Sequence, residues 1–394
     1  MNTLRFPKKT SPVLAGTCLA LLATHACATN GSYITGYGIQ SASMGGASIA
    51  LPQDAIAAAN NPAGMAYVGN RLDVGMAVLN GYADTTFGSP GNPQSSHLVA
   101  PLPEMGVNYG LTPDTTIGVS VFGAGGKSNY GQPALPVSGA GVAKAFFMQV
   151  NVAPTVTYRM SPTLAVGASL VGGYAQFRAD GLIGSTSSGE PVAVPSHGTA
   201  TAFGYGAGLG ALWKPMPALS LGANYYTKMR YGRLQGYDRD LLASDGGTID
   251  APRRYGLGVA FGPLSGVTLA LDWLRIDWSS VPALSDRASF GWHNQDVLRI
   301  GVSFELGTRW KLIAGYSHAN SHLDTAHLLA NYYVPAVLSR ALTLGVTYRI
   351  DAANDVSVGY EHDIPRTLVG TGASAGTTMK VGYDFFRIAY AHRF

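Results

Sequence analysis

The chain has 394 residues, only 12% of them charged, with 51 glycines and 21 tyrosines, whereas a soluble globular domain carries about 25% charged residues. The formal charge of +4 falls to near zero once a basic N-terminal leader is set aside, which removes the electrostatic case for nucleic-acid binding. Beyond that leader no stretch holds about 18 consecutive apolar residues, so membrane-spanning helices are excluded.

Residues 1–28 read as a secretory signal. Arg5, Lys8 and Lys9 form a basic start, Val13 to Ala23 an apolar core, and Ala26-Cys27-Ala28 a small-x-small cleavage pattern, with cleavage expected after Ala28. The apolar core is too short to cross about 30 Å of hydrocarbon, and His25 suits lipid attachment at Cys27 poorly. Removal takes away both cysteines, Cys18 and Cys27, and leaves 23 of the 26 basic residues against 22 acidic ones. The mature chain then has no disulfide and no thiolate metal site, and no cofactor is expected.

Residues 29–70 are rich in Ala, Gly and Ser and do not alternate like a strand. Asp54 is placed to cap a short helix running to Ala59, and Asn61-Pro62 to begin another turn. The segment has too many apolar and too few charged residues for a disordered tail.

From Arg71 to Phe394 the sequence resolves into strand-like segments of alternating polarity. In Ala341 to Ile350, Leu342, Leu344, Val346 and Tyr348 share one face, and Thr343, Gly345, Thr347 and Arg349 the other. Fourteen strands are expected, near 71–84, 104–111, 115–122, 146–159, 163–178, 201–214, 218–232, 251–261, 266–278, 295–306, 309–319, 340–350, 354–363 and 378–394. Alternation alone fits either a soluble sandwich or a lipid-facing barrel. The connections decide: short turns rich in Pro, Gly or Asp alternate strictly with seven loops of about ten to twenty-five residues, far above hairpin length. Short turns at one rim and long loops at the other are the layout of an outer-membrane barrel. The last strand ends in Phe394, with Tyr390, Ile388 and Phe386 on one face and His392 out of pattern. Such an end resembles the signal read by the barrel-assembly machinery. The fold class is thus all-β, a 14-stranded antiparallel transmembrane β-barrel over residues 71–394. A lumen that wide leaks unless filled, so residues 29–70 are expected to fold inward as a small helical hatch.

The stretch GYGIQSASMGGASIALPQDAIAAANNPAGMA resembles the N-terminal hatch of the FadL/TodX family of outer-membrane transporters for long-chain fatty acids and hydrocarbons. The likeness lies in the small-residue run, in Asp54 with its Ala-rich turn and above all in Asn61-Pro62-Ala63; the strand count and terminal Phe extend it over the mature chain. It implies passive uptake of hydrophobic compounds across the outer membrane of a Gram-negative cell. Cargo passes from the outer loops to a pocket in the barrel and leaves sideways into the bilayer through a gap at a kinked third strand. The hatch turn maps to Asn61, Pro62 and Ala63, and the kink to Phe122, Gly123, Ala124, Gly125 and Gly126, where glycine lets a strand bend. The read-out for a fatty-acid carboxylate transfers imperfectly. The family's basic residue on the fifth strand falls at Gln176, with Arg178 two positions on, and a lysine after the ninth strand falls near Ser285, with Arg287 the nearest cation. Strict alternation turns Gln176 and Arg178 outward with Leu164, Val166 and Leu170, unless Gly172-Gly173 resets the phase. A fatty acid, a hydrocarbon, a terpenoid and an aromatic all stay open.

Gly126-Lys127-Ser128 is not a phosphate loop, because Val121 stands where the first glycine belongs. No G-x-S-x-G elbow is present, and the chain is read as a non-enzyme. His318, His322 and His327 with Asp324 fall in one expected outer loop; they have metal-ligating chemistry, but the loop is read as exposed and hydrated, with no metal. Asp272, Arg299, Glu305, Lys311, Arg349 and Glu361 are assigned to a polar network joining wall to hatch. Tyr225, Trp310, Tyr316, Tyr348 and Tyr360 are assigned to the interfacial girdle or the lipid face. Expected partners are a hydrophobic small molecule, outer-membrane lipids with lipopolysaccharide, and the assembly machinery, with the chain a monomer. The competing reading is a general diffusion porin or surface adhesin on the same barrel, which has no use for a hatch.

Overall fold

The computed structural model describes residues 31, 33–186 and 188–394; the expected signal and its cleavage site lie outside the described residues. The strands are β1 (Arg71–Thr86), β2 (Pro93–Gly110), β3 (Thr115–Asn129), β4 (Lys144–Ser161), β5 (Leu164–Asp180), β6 (Ile183–Ser185), β7 (Pro191–Ala193), β8 (Ala200–Met216), β9 (Leu219–Tyr226), β10 (Arg230–Tyr231), β11 (Arg254–Leu264), β12 (Val267–Ile276), β13 (Gln295–Leu306), β14 (Trp310–Ala319), β15 (Arg340–Arg349), β16 (Asn354–Val369) and β17 (Thr378–Arg393). Fourteen of them close an antiparallel barrel. Closure runs from Arg71↔Arg393 to Thr86↔Thr378 between β1 and β17. Of the rest, β6 and β7 form a loop hairpin and β10 adds two residues beside β8.

Closure pairs the backbone without water around the barrel, except along residues 93–104 of β2, which lack a partner on β3. The side chains sort as the alternation requires. On β4, Val152, Val156, Tyr158 and Met160 are exposed outward, while Ala153, Thr155 and Thr157 are buried inward. Short turns at 111–114, 162–163, 217–218, 265–266, 307–309 and 350–353 define one rim, and the longer connections the other.

Three strands are markedly longer than expected, among them β3, which runs to Asn129 instead of ending near residue 122. β2 starts at Pro93 instead of near residue 104, and β16 continues past a register shift between Asp363 and Arg366 to Val369. Pro93, Pro101 and Pro103 obscured β2 in the sequence, since proline donates nothing to a ladder and is confined to strand edges and bulges. Consequently the connections 87–92 and 370–377 are shorter than the expected ten residues.

Candidate functional site: a filled lumen beside an opening in the wall

Residues 33–69 fill the lumen as short helical turns, α1 (Ile39–Ser43) and 3-10 turns at Ala57–Ala59 and Pro62–Tyr67. Gly31 lies against Trp278 and Trp292 of the long-loop side, and the Ala66 carbonyl accepts from Arg159 near the short-turn rim at 2.7 Å. The segment therefore runs down the axis. So irregular a backbone needs partners from the wall, and the lumen-facing side chains supply them. Asp272 accepts from the Ser48 and Ile49 amides at 2.7 and 2.9 Å, Asp73 from Ala55 at 2.8 Å and Glu104 from Gly38 at 2.9 Å. Thr343 accepts from Gly45 at 2.9 Å and donates to the Ser43 carbonyl at 2.7 Å. Lys311 donates to the Gln40 and Gln53 side chains, and Arg299 to the Gly46 carbonyl. Glu361 pairs with Arg387 at 2.6 Å, both buried, and takes the Thr35 hydroxyl. Four of the six assigned network residues thus bind the segment; Glu305 and Arg349 are exposed at the short-turn rim instead.

The turn Asn61-Pro62-Ala63 is pinned on all sides. The Asn61 side chain accepts from the Ala63 amide at 3.0 Å and donates to the Ile49 and Ala211 carbonyls at 2.7 and 3.1 Å, while Thr157 donates to the Pro62 carbonyl at 2.7 Å. Gly210 of β8 makes room, since a Cβ there would sit 2.0 Å from Asn61 Oδ1. Asp54 does not cap the Ala57–Ala59 turn with its side chain; its carboxylate closes a tighter turn on the Ile56 amide at 3.0 Å, and Ile56 takes the cap position.

The wall opens between β2 and β3. They pair only over Met105–Gly110 and Thr116–Val121, whereas β3 stays paired with β4 along its whole length to Asn129↔Lys144. The third strand therefore continues through Phe122-Gly123-Ala124-Gly125-Gly126 instead of ending there, and it leaves one neighbour while keeping the other. Within the separated stretch Gly125 has a φ of +147°, and a Cβ there would meet the Phe147 carbonyl at 2.3 Å. On the other side Pro101 and Pro103 lack the amide that an unpaired edge would otherwise waste. A groove of about 560 Å³ occupies the separation, lined by outward Val74, Met76, Met105, Val121 and Met148 and by lumen-facing Glu104 and Gln149. It is lined from both faces of the wall and is overwhelmingly apolar. Just inside, Phe122 is buried with its ring centroid 4.7 Å from that of Tyr37, so the filling segment abuts the opening.

Above the segment the outer loops fold inward as an aromatic layer. Trp278 and Trp292 meet edge to face at 4.7 Å, and Tyr130 stacks on Tyr332 at 4.1 Å with Phe87 edge-on at 4.8 Å. His322 is buried in this layer, 4.5 Å from Trp292, and neither ring nitrogen has a protein partner. Burial, then the charges of Arg366 and His293, push its pKa down to about 3. The expectation of a hydrated loop fails for this residue, because two indoles shelter it. His318 points outward from β14, and His327 bonds Asp324 at 2.6 Å. Partial burial pulls His327 down, but its bonds to Asp324 and the Arg287 carbonyl outweigh that and raise its pKa. No metal-binding group of these types occurs among the described residues.

Gln176 and Arg178 keep the outward phase on β5; Gly172-Gly173 does not reset it. Gln176 donates to the Tyr174 hydroxyl and Arg178 to Asp180 at 2.7 Å, while Arg287 is exposed in the loop after β12. None of the three reaches the lumen. Tyr225, Trp310 and Tyr360 are exposed on the outer surface. Sequence reasoning missed Tyr37, Glu104, Trp278 and Trp292. Tyr37 stood out as a bulky residue in a small-residue run; the others carried no local signal.

A closed, internally filled barrel with an apolar opening in its side defines a class, the plugged outer-membrane barrels. The family model described as "Outer membrane protein transport protein (OMPP1/FadL/TodX)" matches residues 19–392, and the chain belongs to that family of Gram-negative outer-membrane transport proteins. Among solved structures it resembles the Pseudomonas putida toluene transporter TodX at 18% identity and TM-score 0.71, covering 91% of this chain and 99% of that one. A FadL homologue of Pseudomonas aeruginosa gives 15% and 0.70, covering 93% and 100%. The Ralstonia pickettii toluene transporter TbuX gives 17% and 0.68, covering 91% and 99%. A search of curated proteins gives no match.

Proposed function

We propose that this chain carries hydrophobic compounds passively across the outer membrane and releases them sideways into the bilayer between β2 and β3. The observation that carries the reading is the apolar groove at the β2–β3 separation, beside a lumen closed along its axis by residues 33–69. Cargo that enters through the loops meets an aromatic layer, then the hatch, then a side opening. Transfer from water into such surroundings gains about 0.8 kcal/mol per CH₂, so the route into lipid runs downhill and needs neither chemistry nor an energy source. In this reading Asn61, Pro62 and Ala63 form the turn that anchors the hatch, and Phe122 to Gly126 the bend that keeps the exit open.

A neutral aromatic or hydrocarbon fits better than a fatty-acid anion. Gln176 and Arg178 face away from the lumen and Arg287 lies in an exposed loop, which leaves the carboxylate read-out of the fatty-acid transporters without its cations. Two of the similar structures are described as toluene transporters, which agrees. A diffusion porin would need a continuous aqueous path, and the hydrogen-bonded segment occupies it. The test is flux into proteoliposomes: radiolabelled toluene or oleate should enter the vesicle bilayer faster than in protein-free controls, toluene more so, with no swelling in a small sugar. Sugar swelling without hydrophobic uptake would establish the porin instead.

A further inference from the structure

The outward faces of β3, β4 and β5 differ at their two ends. Toward the short turns they carry Ile117, Tyr158 and Met160; toward the long loops they carry Lys127, Lys144 and Arg178. The ladder brings the three cations together. Lys127 lies opposite Phe146, Phe146 opposite Arg178, and Lys144 opposite Asn129 and Asp180. At about 4.8 Å between strands, the backbones of Lys127 and Arg178 stand about 10 Å apart. Asp180 is the acidic neighbour, bonded to Lys144 at 3.2 Å and Arg178 at 2.7 Å and also to Ser196, while Lys127 is exposed and pairs with no carboxylate among the described residues. Three cations against one carboxylate leave an excess of positive charge, and a groove of about 630 Å³ lies over Lys144 and Arg178, with Val142 and Val194 in its wall.

The height of this patch fixes what it faces. On β4, tilted as barrel strands are, the outward run from Tyr158 to Met148 covers about 25 Å, the height of the apolar band. Lys127, Lys144 and Arg178 then stand within about 10 Å above its upper edge, at the level of lipid head groups. Below them Met148 and Val150 run directly into the groove between β2 and β3. Cations over an apolar face match an anionic head over acyl chains.

We propose that Lys127, Lys144 and Arg178 form a docking site for the phosphate groups of an outer-leaflet glycolipid, whose acyl chains then lie along β4 beside the opening in the wall. Asp180 aims the two cations that it bonds, and Lys127 completes the charge. The site rests on the outer-membrane location and the outer face of the wall, so it stands whether or not the uptake reading holds. The test uses the full-length protein in detergent and native mass spectrometry with bisphosphorylated lipid A, the same lipid dephosphorylated, and inorganic phosphate. Each basic residue near an anionic surface contributes a factor of about five, so the triple variant Lys127→Gln, Lys144→Gln, Arg178→Gln should bind bisphosphorylated lipid A about 100-fold more weakly. Lys127→Arg with Lys144→Arg should retain binding, and the dephosphorylated lipid should bind wild type as weakly as the phosphorylated lipid binds the triple variant. Folding is read from the mobility difference between boiled and unboiled protein on a gel; should the triple variant not fold, the exposed single change Lys127→Glu serves in its place and should weaken binding in the same direction. Equal retention of both lipids, equal binding by folded variant and wild type, or inorganic phosphate binding as tightly as the lipid would overturn the proposal.

Discussion

At the scale of residues, a few side chains have no substitute. Gly125 adopts a φ of +147° where a Cβ would strike the Phe147 carbonyl. Gly125→Val should therefore cost about 1–3 kcal/mol or straighten β3 against β2, read as a lower unfolding temperature or as new hydrogen-exchange protection across that pair. Arg387 is buried beside Glu361. Arg387→Met strands that carboxylate inside the barrel and should cost about 3–5 kcal/mol, measurable by urea unfolding in detergent, with little loss marking a pair already reached by water. His322 gives a pH dependence whose sign follows from its burial. The folded imidazole has its pKa pushed down to about 3 against an ordinary 6.5, so the opened loop takes up a proton that the folded loop refuses. Loop stability should fall as pH drops through 6.5 and go on falling toward 3. Fluorescence of Trp278 and Trp292 should report the opening, and His322→Phe should remove the loss of stability that His322 contributes below 6.5, leaving the opposite-signed contribution of His327. None of this burial was legible in advance: a histidine among His318, Asn320 and Ser321 looks hydrated until Trp278 and Trp292 arrive from another loop.

Among the elements, the strands were legible because lipid on one side and a polar lumen on the other impose a period of two. Even the outward phase of Gln176 and Arg178 follows from counting along β5. What could not be read was where β2 begins. Pro93, Pro101 and Pro103 argue against a central strand, and only the pairing shows that β2 is an edge over that stretch. The polar face of each strand announced that something lay inside, but not which carboxylate bound which amide. Glu104 and Asp272 appear as isolated acids in the sequence; their roles as acceptors for Gly38 and for Ser48 and Ile49 need the barrel to be closed first. Deleting residues 31–69 should leave the barrel foldable, since the ladder from β1 to β17 does not involve them. The lumen would then admit water and ions, and single-channel conductance in planar bilayers should rise well above that of the intact chain. An unchanged conductance would mean that the segment does not seal the lumen.

For the molecule as a whole, the filled barrel is, on the proposed reading, a conduit closed along its axis that releases cargo at its side. The direct measurement is uptake of a radiolabelled monoaromatic hydrocarbon into the bilayer of proteoliposomes containing Gly123→Trp, whose outward side chain fills the groove between β2 and β3 while the hatch and loops stay intact. If cargo leaves there, a barrier raised by about 1.4 kcal/mol or more cuts the flux at least about tenfold, with the folded barrel unchanged on a gel. Undiminished uptake through a wall sealed in this way would contradict lateral release.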